Sequence, residues 1–499
     1  MNLAQKIAKE STITFFGMVY GNINRYLYTL LLARWVGSEF LGIYSLANSV
    51  RLISEVFGKM GIEIGVMRFV SLLNPDIEKK KIQRLIGSAV KMTMAFSVVI
   101  MAGLLVSSGF IVTHILKEPP LLKIVLMVFA IAIPFNAITL VVAFATQGFK
   151  RLKYKIFITQ FLNPTILLVV MIISFWFISV EVALMAPMLV SSIIGFIVMF
   201  AVLKKLTGVK NRQILKAPFD RELLVFSYPL MFVTILLTLM HWMDILMLGA
   251  FTNASTVGLY HPAARTAGLL QALLTSFLSI YSPMIAQFHA KSDQKNMSGS
   301  YKLVSRWLLT FSIPVALIFL VYPQKVMLLF GAEYLPSANI LMVLTAATFI
   351  HAILGAAQST LSMTGHTRLL LWNAIGAFII NIILNIILIP NYGMIGAAWA
   401  TLISLFVISL LRVLEVRWIL KLTFFSTKMI KPILAGSITW WCLWRIHPIV
   451  MDYHTLVTLS AVSLISFLVY GIVLWVMRLE SEDWDFLTGL GILKNSLKK

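Results

Sequence analysis

The stretch EFLGIYSLANSVRLISEVFGKMG, residues 39–61, is long and apolar enough to cross a lipid bilayer, yet it carries Arg51, Glu55 and Lys59 in its second half. A spanning helix needs about 20 mostly apolar residues at about 1.5 Å each. Tyr44, Asn48, Arg51, Glu55 and Lys59 follow by steps of four, three, four and four, which puts them on one side of a helix turning about 100° per residue. A charge at mid-bilayer costs at least about 2.5–3.5 kcal/mol on insertion scales, so this side faces protein or a water-filled cavity.

The same alternation of apolar runs and short polar breaks continues to both ends. The chain has 499 residues, 60% hydrophobic and 12% charged, with a mean hydropathy of +0.92. A water-soluble chain carries about 25% charged residues, so a string of soluble domains is excluded. Candidate spans lie near 12–33, 39–61, 85–113, 121–146, 156–178, 181–203, 223–250, 256–286, 304–322, 338–363, 369–389, 394–416, 430–447 and 455–477. The breaks NPDIEKKK (74–81), KRLKYK (150–155), KKLTGVKNRQILK (204–216) and HAKSDQKN (289–296) are too short to fold alone. The expected fold is all-α: a polytopic membrane protein of about 14 transmembrane helices. The opening MNLAQKIAKESTITFFG lacks a small-residue cleavage site and reads as a retained amphipathic lead into the first span.

Cys442 is the single cysteine, so no intrachain disulfide and no thiolate cluster can form, and the eight histidines show no metal-ligand spacing. No metal site and no cofactor are expected. The net charge of +22 has another use. With the N-terminus inside, the outer loops carry Arg34, Lys117 and Lys325, and most of the other basic residues fall on inner segments. This positive-inside asymmetry predicts a multi-pass protein with both termini cytoplasmic, drawn to anionic lipid, and makes a nucleic-acid partner unnecessary.

The chain also repeats. GIYSLA at 42–47 resembles GLYHPA at 258–263, 216 residues on, and QGFKRLKYK at 147–155 falls beside TGHTRLLLW at 364–372. Both copies run in the same sense, which predicts two parallel six-helix halves, 1–210 and 211–420, with two extra helices and a tail in 421–499.

Three arginines lie deep in their spans: Arg25, Arg51 and Arg265, each roughly 12–18 Å below the outer surface at about 1.5 Å per residue. Lys59, Lys91, Lys123, Arg412 and Arg445 lie nearer span ends and are expected to snorkel to headgroups. Thr14, Gly21, Arg25 and Thr29 share a face of span 1. Ser227, Thr234, Thr238 and His241 share one of span 7, with Asp244 at its edge. His261, Arg265, Gly268 and Ser279 line up on span 8. If these faces line one cavity, Tyr44, Asn48, Glu55, His241, Asp244 and His261 border it. The alternative is structural pairing, Arg51 with Glu55 or Asp244 with Arg265. Guanidinium stays charged when desolvated and presents forked donors to phosphate oxygens, so the arginines suit a phosphate-bearing ligand.

ARWVGSEFLGIYSLA (33–47), LFGAEYLPSA (329–338) and IPNYGMIGAAWATLIS (389–404), in this order and spacing, resemble the polysaccharide-transporter branch of the MATE/MOP exporter superfamily. The resemblance covers most of the chain and is weakest over the last two spans. It implies a Wzx-type flippase, not an enzyme, that moves a polyprenyl-pyrophosphate-linked oligosaccharide (an O-antigen, capsule or exopolysaccharide unit) across the plasma (inner) membrane by rocking of two halves. It implies a head-group role for Arg25, Arg51 and Arg265, and a coupling ion, H+ or Na+, with Glu55, His241, Asp244 and His261 as the titratable groups. The partners are the lipid-linked glycan, the bilayer and, further, glycan polymerase machinery. A multidrug or small-solute antiporter and a lipid II flippase are the alternatives. A membrane glycosyltransferase fits less well, because the short outer loops hold no paired carboxylates.

Overall fold

The computed structural model describes residues 3–74, 77–209, 211–478, 480 and 482–484, without the side chains of 3–15 and 215. The basic residues Lys210, Lys494, Lys498 and Lys499, read as inner-side anchors, lie outside the described residues, as does the tail beyond residue 484; of Lys6, Lys9 and Thr14 only the backbone is described.

Helix accounts for nearly all of the described residues, and no strand occurs among them. In order the helices are α1 (Leu3–Val36), α2 (Ser38–Lys59), α3 (Ile62–Leu72), α4 (Lys79–Phe110), α5 (Pro120–Gly148), α6 (Leu152–Ile156) and α7 (Asn163–Phe177). There follow α8 (Val180–Thr207), α9 (Asn211–Lys216), α10 (Arg221–Phe251), α11 (Ala254–Ala267), α12 (Leu269–Ala290), α13 (Gln294–Val321) and α14 (Pro323–Leu328). The last are α15 (Ala338–Leu354), α16 (Ala356–Met363), α17 (Thr367–Tyr392), α18 (Met394–Ile419), α19 (Ile430–Val450) and α20 (Thr455–Val476). Local signals set several starts: Pro120 in the first turn of α5, and the Asp220 carboxylate accepting the Leu223 N–H at 3.1 Å to cap α10.

A helix lies at each position read as a span. Among the described residues, 11 helical stretches are long and apolar enough to cross a membrane. In α2, one of the three below that mark, the stripe from Asn48 to Lys59 dilutes the apolar run. Two expected spans are each broken once: the run 254–290 at Gly268, between α11 and α12, and the run 338–363 at Gly355, between α15 and α16.

The chain forms two compact units, residues 1–262 with 385–397, and residues 263–384 with 398–499. In the first, α5 packs against α2, α3, α4 and α8. Its Phe129, Ala130, Ala132 and Ile133 are fully buried, as suits a helix apolar all round. Ile62 and Val66 of α3, Ile86 and Ala89 of α4, Val141 of α5 and Met199 of α8 share one core.

The repeat at offset 216 meets itself within this unit. A Cβ on Gly42 would fall on the Ala254 carbonyl, and one on Gly258 would fall on that of Ser38. Residues 38 and 254, and 42 and 258, are the same positions of the two copies, so the contact is reciprocal. Glycine lets the two backbones touch, as small residues do wherever membrane helices approach closely. Ser38 Oγ and Ser255 Oγ are 3.2 Å apart beside it.

In the second unit α13 packs against α12, α15, α19 and α20. Tyr281 and Thr360 hydroxyls meet at 2.7 Å, and Ser282 and Ser359 also at 2.7 Å. Arg412 corrects an expectation: it does not snorkel but is buried at 8% exposure, donating to Gln358 Oε1 at 2.8 Å. At the C-terminal end Arg306 makes a two-pronged bond to Asp483, at 2.7 and 3.1 Å. Lys431 holds the Glu480 carboxyl below its usual range, and Lys428 does the same for Glu482.

The crossing predicts a contrast between glycines. Gly42→Ala overpacks a backbone contact and lowers stability by about 1–3 kcal/mol or more. Gly103→Ala, on α4 with open space around its Cβ, leaves stability unchanged or raised. Thermal unfolding in detergent reads both; equal effects would contradict the close crossing.

Candidate functional site

The polar stripe of α2 is a chain of alternating charges. Arg51 Nη1 donates to Glu55 Oε2 at 2.6 Å, and its Nε and Nη2 donate to Asn48 Oδ1 at 3.3 and 3.1 Å. Lys59 Nζ lies 3.6 Å from Glu55 Oε1 and 3.9 Å from Glu63 Oε1. Arg51, Glu55, Lys59 and Glu63 are all buried, and their charges cancel. Opposite signs one turn apart make burial tolerable, because losing one partner strands the other at about 3–5 kcal/mol.

Lys59 was expected to snorkel; it stays inside because a carboxylate sits one turn to either side of it. Glu63 was missed because the span was read as ending at 61. Its signal was present, since the four-residue spacing 51, 55, 59, 63 runs on across the break. There Met60 and Gly61 both take left-handed backbone, at φ 52° and 73°, and a Cβ on Gly61 would strike the Ser227 carbonyl of α10.

Against this stripe α10 presents the face read from the sequence. A cavity of about 400 Å³ lies between Leu52, Glu55 and Lys59 on α2 and Thr234, Thr238, His241 and Trp242 on α10. Its walls carry an ammonium, a carboxylate, an imidazole and two hydroxyls. The hydroxyls of Thr234 and Thr238 donate to the Leu230 and Thr234 carbonyls at 2.9 and 2.8 Å, leaving their oxygens able to accept. Glu55 and His241 both line this cavity. Arg51 is not in the wall; it stands behind Glu55, in the pairing that the sequence offered as its alternative.

The other expected residues have other surroundings. Tyr44 is buried among rings, 5.6 Å from Tyr28 and 5.7 Å from Phe129 between centroids, and does not line this cavity. Asn48 serves Arg51. Arg25 donates from Nη2 to the Thr159 carbonyl at 2.7 Å and to Gln160 Oε1 at 3.1 Å. Both acceptors lie in the π-helical stretch Phe157–Leu162, where the wider turn breaks the regular backbone ladder.

Asp244 accepts from Tyr260 Oη at 3.2 Å and from Asn385 Nδ2 at 2.8 Å. His261 Nδ1 lies 2.7 Å from Ser45 Oγ. Ser45 gives its own proton to the Leu41 carbonyl at 2.7 Å, so the imidazole Nδ1 is the donor between them. Ser45 and His261 are again repeat-related positions. Arg265, in the last turn of α11, is half-buried and belongs to the second unit.

The charge chain gives a test. Glu55→Gln leaves Arg51 and Lys59 without their shared carboxylate and costs about 3–5 kcal/mol. Glu55→Met combined with Arg51→Met, Lys59→Met and Glu63→Met, which leaves no buried charge of the chain unpaired, recovers much of that loss. Unfolding of the purified variants measures both, and additive losses would show that the four do not act as one unit.

Residues 7–289 match the polysaccharide biosynthesis protein family, and residues 229–387 match the MatE family. The probable low-salt glycan biosynthesis flippase Agl15 of Haloferax volcanii is 29% identical over 169 residues, 33% of this chain and 35% of that protein. The chain spans about a third to a half of the length of the first curated relatives it matches. In fold it is similar to the lipid II flippase MurJ in an inward closed conformation, with a TM-score of 0.74, 17% identity, and 97% of this chain and 99% of that one covered. It is also similar to an inward-facing multidrug resistance MATE family transporter of the MOP superfamily, with a TM-score of 0.65, 13% identity, and 80% and 94% covered. With more than half of its length matched, the chain belongs to the polysaccharide biosynthesis protein family.

Proposed function

We propose that this protein is a flippase that carries a polyprenyl-pyrophosphate-linked oligosaccharide from the cytoplasmic to the outer leaflet of the plasma membrane by alternating access, with both chain ends inside. The observation that carries this reading is the cavity between α2 and α10, whose wall holds the ion pair Lys59 and Glu55 together with the His241 imidazole, with Arg51 behind. Both Glu55 oxygens face cations, Oε2 toward Arg51 and Oε1 toward Lys59. The carboxylate is therefore spoken for and offers little to an organic cation, which argues against a drug antiporter.

An entering pyrophosphate competes with Glu55 for Lys59 and Arg51. A proton on Glu55 releases both cations to the phosphates, so proton movement and head-group binding share one switch. The hydroxyls of Thr234 and Thr238 serve the glycan side of the head. Arg25 and Arg265 are further head-group contacts in this proposal. Asp244, between the Tyr260 hydroxyl and the Asn385 amide, is where a coupling ion, H+ or Na+, would act, with His241 and His261 titrating beside the path. Glycan polymerase machinery is the expected receiver of the flipped unit. A lipid II flippase is the second reading, and the likeness in fold to MurJ favours it; both substrates carry a lipid pyrophosphate.

Flipping of a fluorescent polyprenyl-pyrophosphate oligosaccharide in proteoliposomes tests the reading. Lys59→Ala and Arg51→Ala should each slow flipping by about tenfold or more, as expected from losing a charge-assisted hydrogen bond of about 1.5–3 kcal/mol. Unchanged flipping in a correctly inserted Arg51→Ala protein sinks the cavity reading. Faster flipping of lipid II than of the oligosaccharide lipid would favour the second reading.

A further inference from the structure

One carboxyl apart from the cavity stands in an unusual place. Glu118 lies in the turn of Lys117 to Pro119, between the π-helical end of the span that α4 begins and the start of α5. Lys117 takes a left-handed backbone, φ 53°, which aims the chain back toward α5. The Glu118 carboxylate accepts the backbone N–H of Ala254, the first residue of α11, while its Oε1 is buried with no partner. Ala254 is also the residue whose carbonyl rests on Gly42 in the repeat crossing. One side chain therefore ties the turn before α5 to the place where α2 and α11 touch.

The charged groups around it are few. Glu39, in the first turn of α2, faces Glu118 and repels it when both are ionised. Lys117, in the same turn, is exposed. His114 is held by Thr113 Oγ1 at 2.7 Å and stacked on Phe110. Lys123 of α5 lies by Gly109. The last turn of α10, residues 248–251, and the first of α11, residues 254–257, contain no ionisable residue. A buried carboxylate oxygen without a donor, beside a like charge, favours the neutral acid.

We propose that Glu118 is an external proton-binding site: a proton on its carboxyl holds the turn before α5 on the start of α11 and locks the crossing of α2 with α11, closing the outer end of the path. That this end faces outward rests on the topology in the function proposed above, with both chain ends inside. The proton comes from outside water as the crossing closes and returns there as it opens, so no other reactant is needed. In the closed form burial raises the Glu118 carboxyl to about 7. When the crossing opens, water reaches the carboxyl and its ordinary, lower value returns. Closure is therefore favoured at acid pH, and the advantage is lost as pH rises through about 7. An outward-directed carrier would thus be reset by external protons after it releases its cargo.

The test uses the full-length protein in proteoliposomes, with Cys442→Ser removing the native thiol and Ser38→Cys with Ser255→Cys reporting the crossing. External pH is varied from 6 to 8 with no substrate present, a fixed amount of diamide is added as the two-electron oxidant, and disulfide formation is timed with and without Glu118→Gln. The ratio of the two rates cancels thiol ionisation. Linkage predicts that this ratio falls up to roughly tenfold from pH 6 to pH 8. Glu118→Asp, which keeps an ionisable group, should retain a pH-dependent ratio. A ratio that stays constant across the range overturns the proposal. Because no glycan lipid is used, a protein that fails to flip the oligosaccharide yet shows the falling ratio refutes the substrate and keeps the proton site.

Discussion

The charge chain of α2 is the constraint from which the site follows. In an apolar helix each ionised group must find its opposite within a turn, and the four-residue spacing of Arg51, Glu55, Lys59 and Glu63 supplies that with no outside partner. Its net neutrality lets the helix sit deep. Its pairs border the cavity against α10, which is where the proposed exchange with an anionic head group would take place.

The crossing of α2 with α11 depends on a different economy of space. Two glycines 216 residues apart bring repeat-related backbones into contact, and hydrogen bonds between repeat-related side chains, Ser45 and His261, lie one turn further in. A short sequence echo, GIYSLA and GLYHPA, is thus also a contact.

Much of this was legible beforehand. Hydropathy placed helices at every expected position, since a bilayer tolerates little else across about 30 Å of hydrocarbon. The polar face of α2 and that of α10 were readable from spacing alone, and the two do meet. What could not be read was which charge would pair with which. Lys59 and Arg412 look alike as cations near span ends, yet Lys59 is turned inward by the carboxylates one turn to either side, Glu55 and Glu63, and Arg412 by a tertiary neighbour, Gln358. Tyr44 shares the stripe's phase yet packs on Tyr28 and Phe129, because helical phase gives a direction and not the identity of what lies there. Glu118 reads in the sequence only as a loop residue, and nothing local shows that its carboxylate will reach Ala254.

The account stands or falls on whether a lipid pyrophosphate occupies the cavity of α2 and α10. Native mass spectrometry of the purified protein, offered a polyprenyl-pyrophosphate oligosaccharide and the same lipid with an uncharged head, measures this directly. The account predicts that the pyrophosphate lipid is retained, that the uncharged one is not, and that Thr238→Trp, which fills the cavity without removing a charge, abolishes retention. Equal retention of both lipids, or retention untouched by the tryptophan, would contradict it.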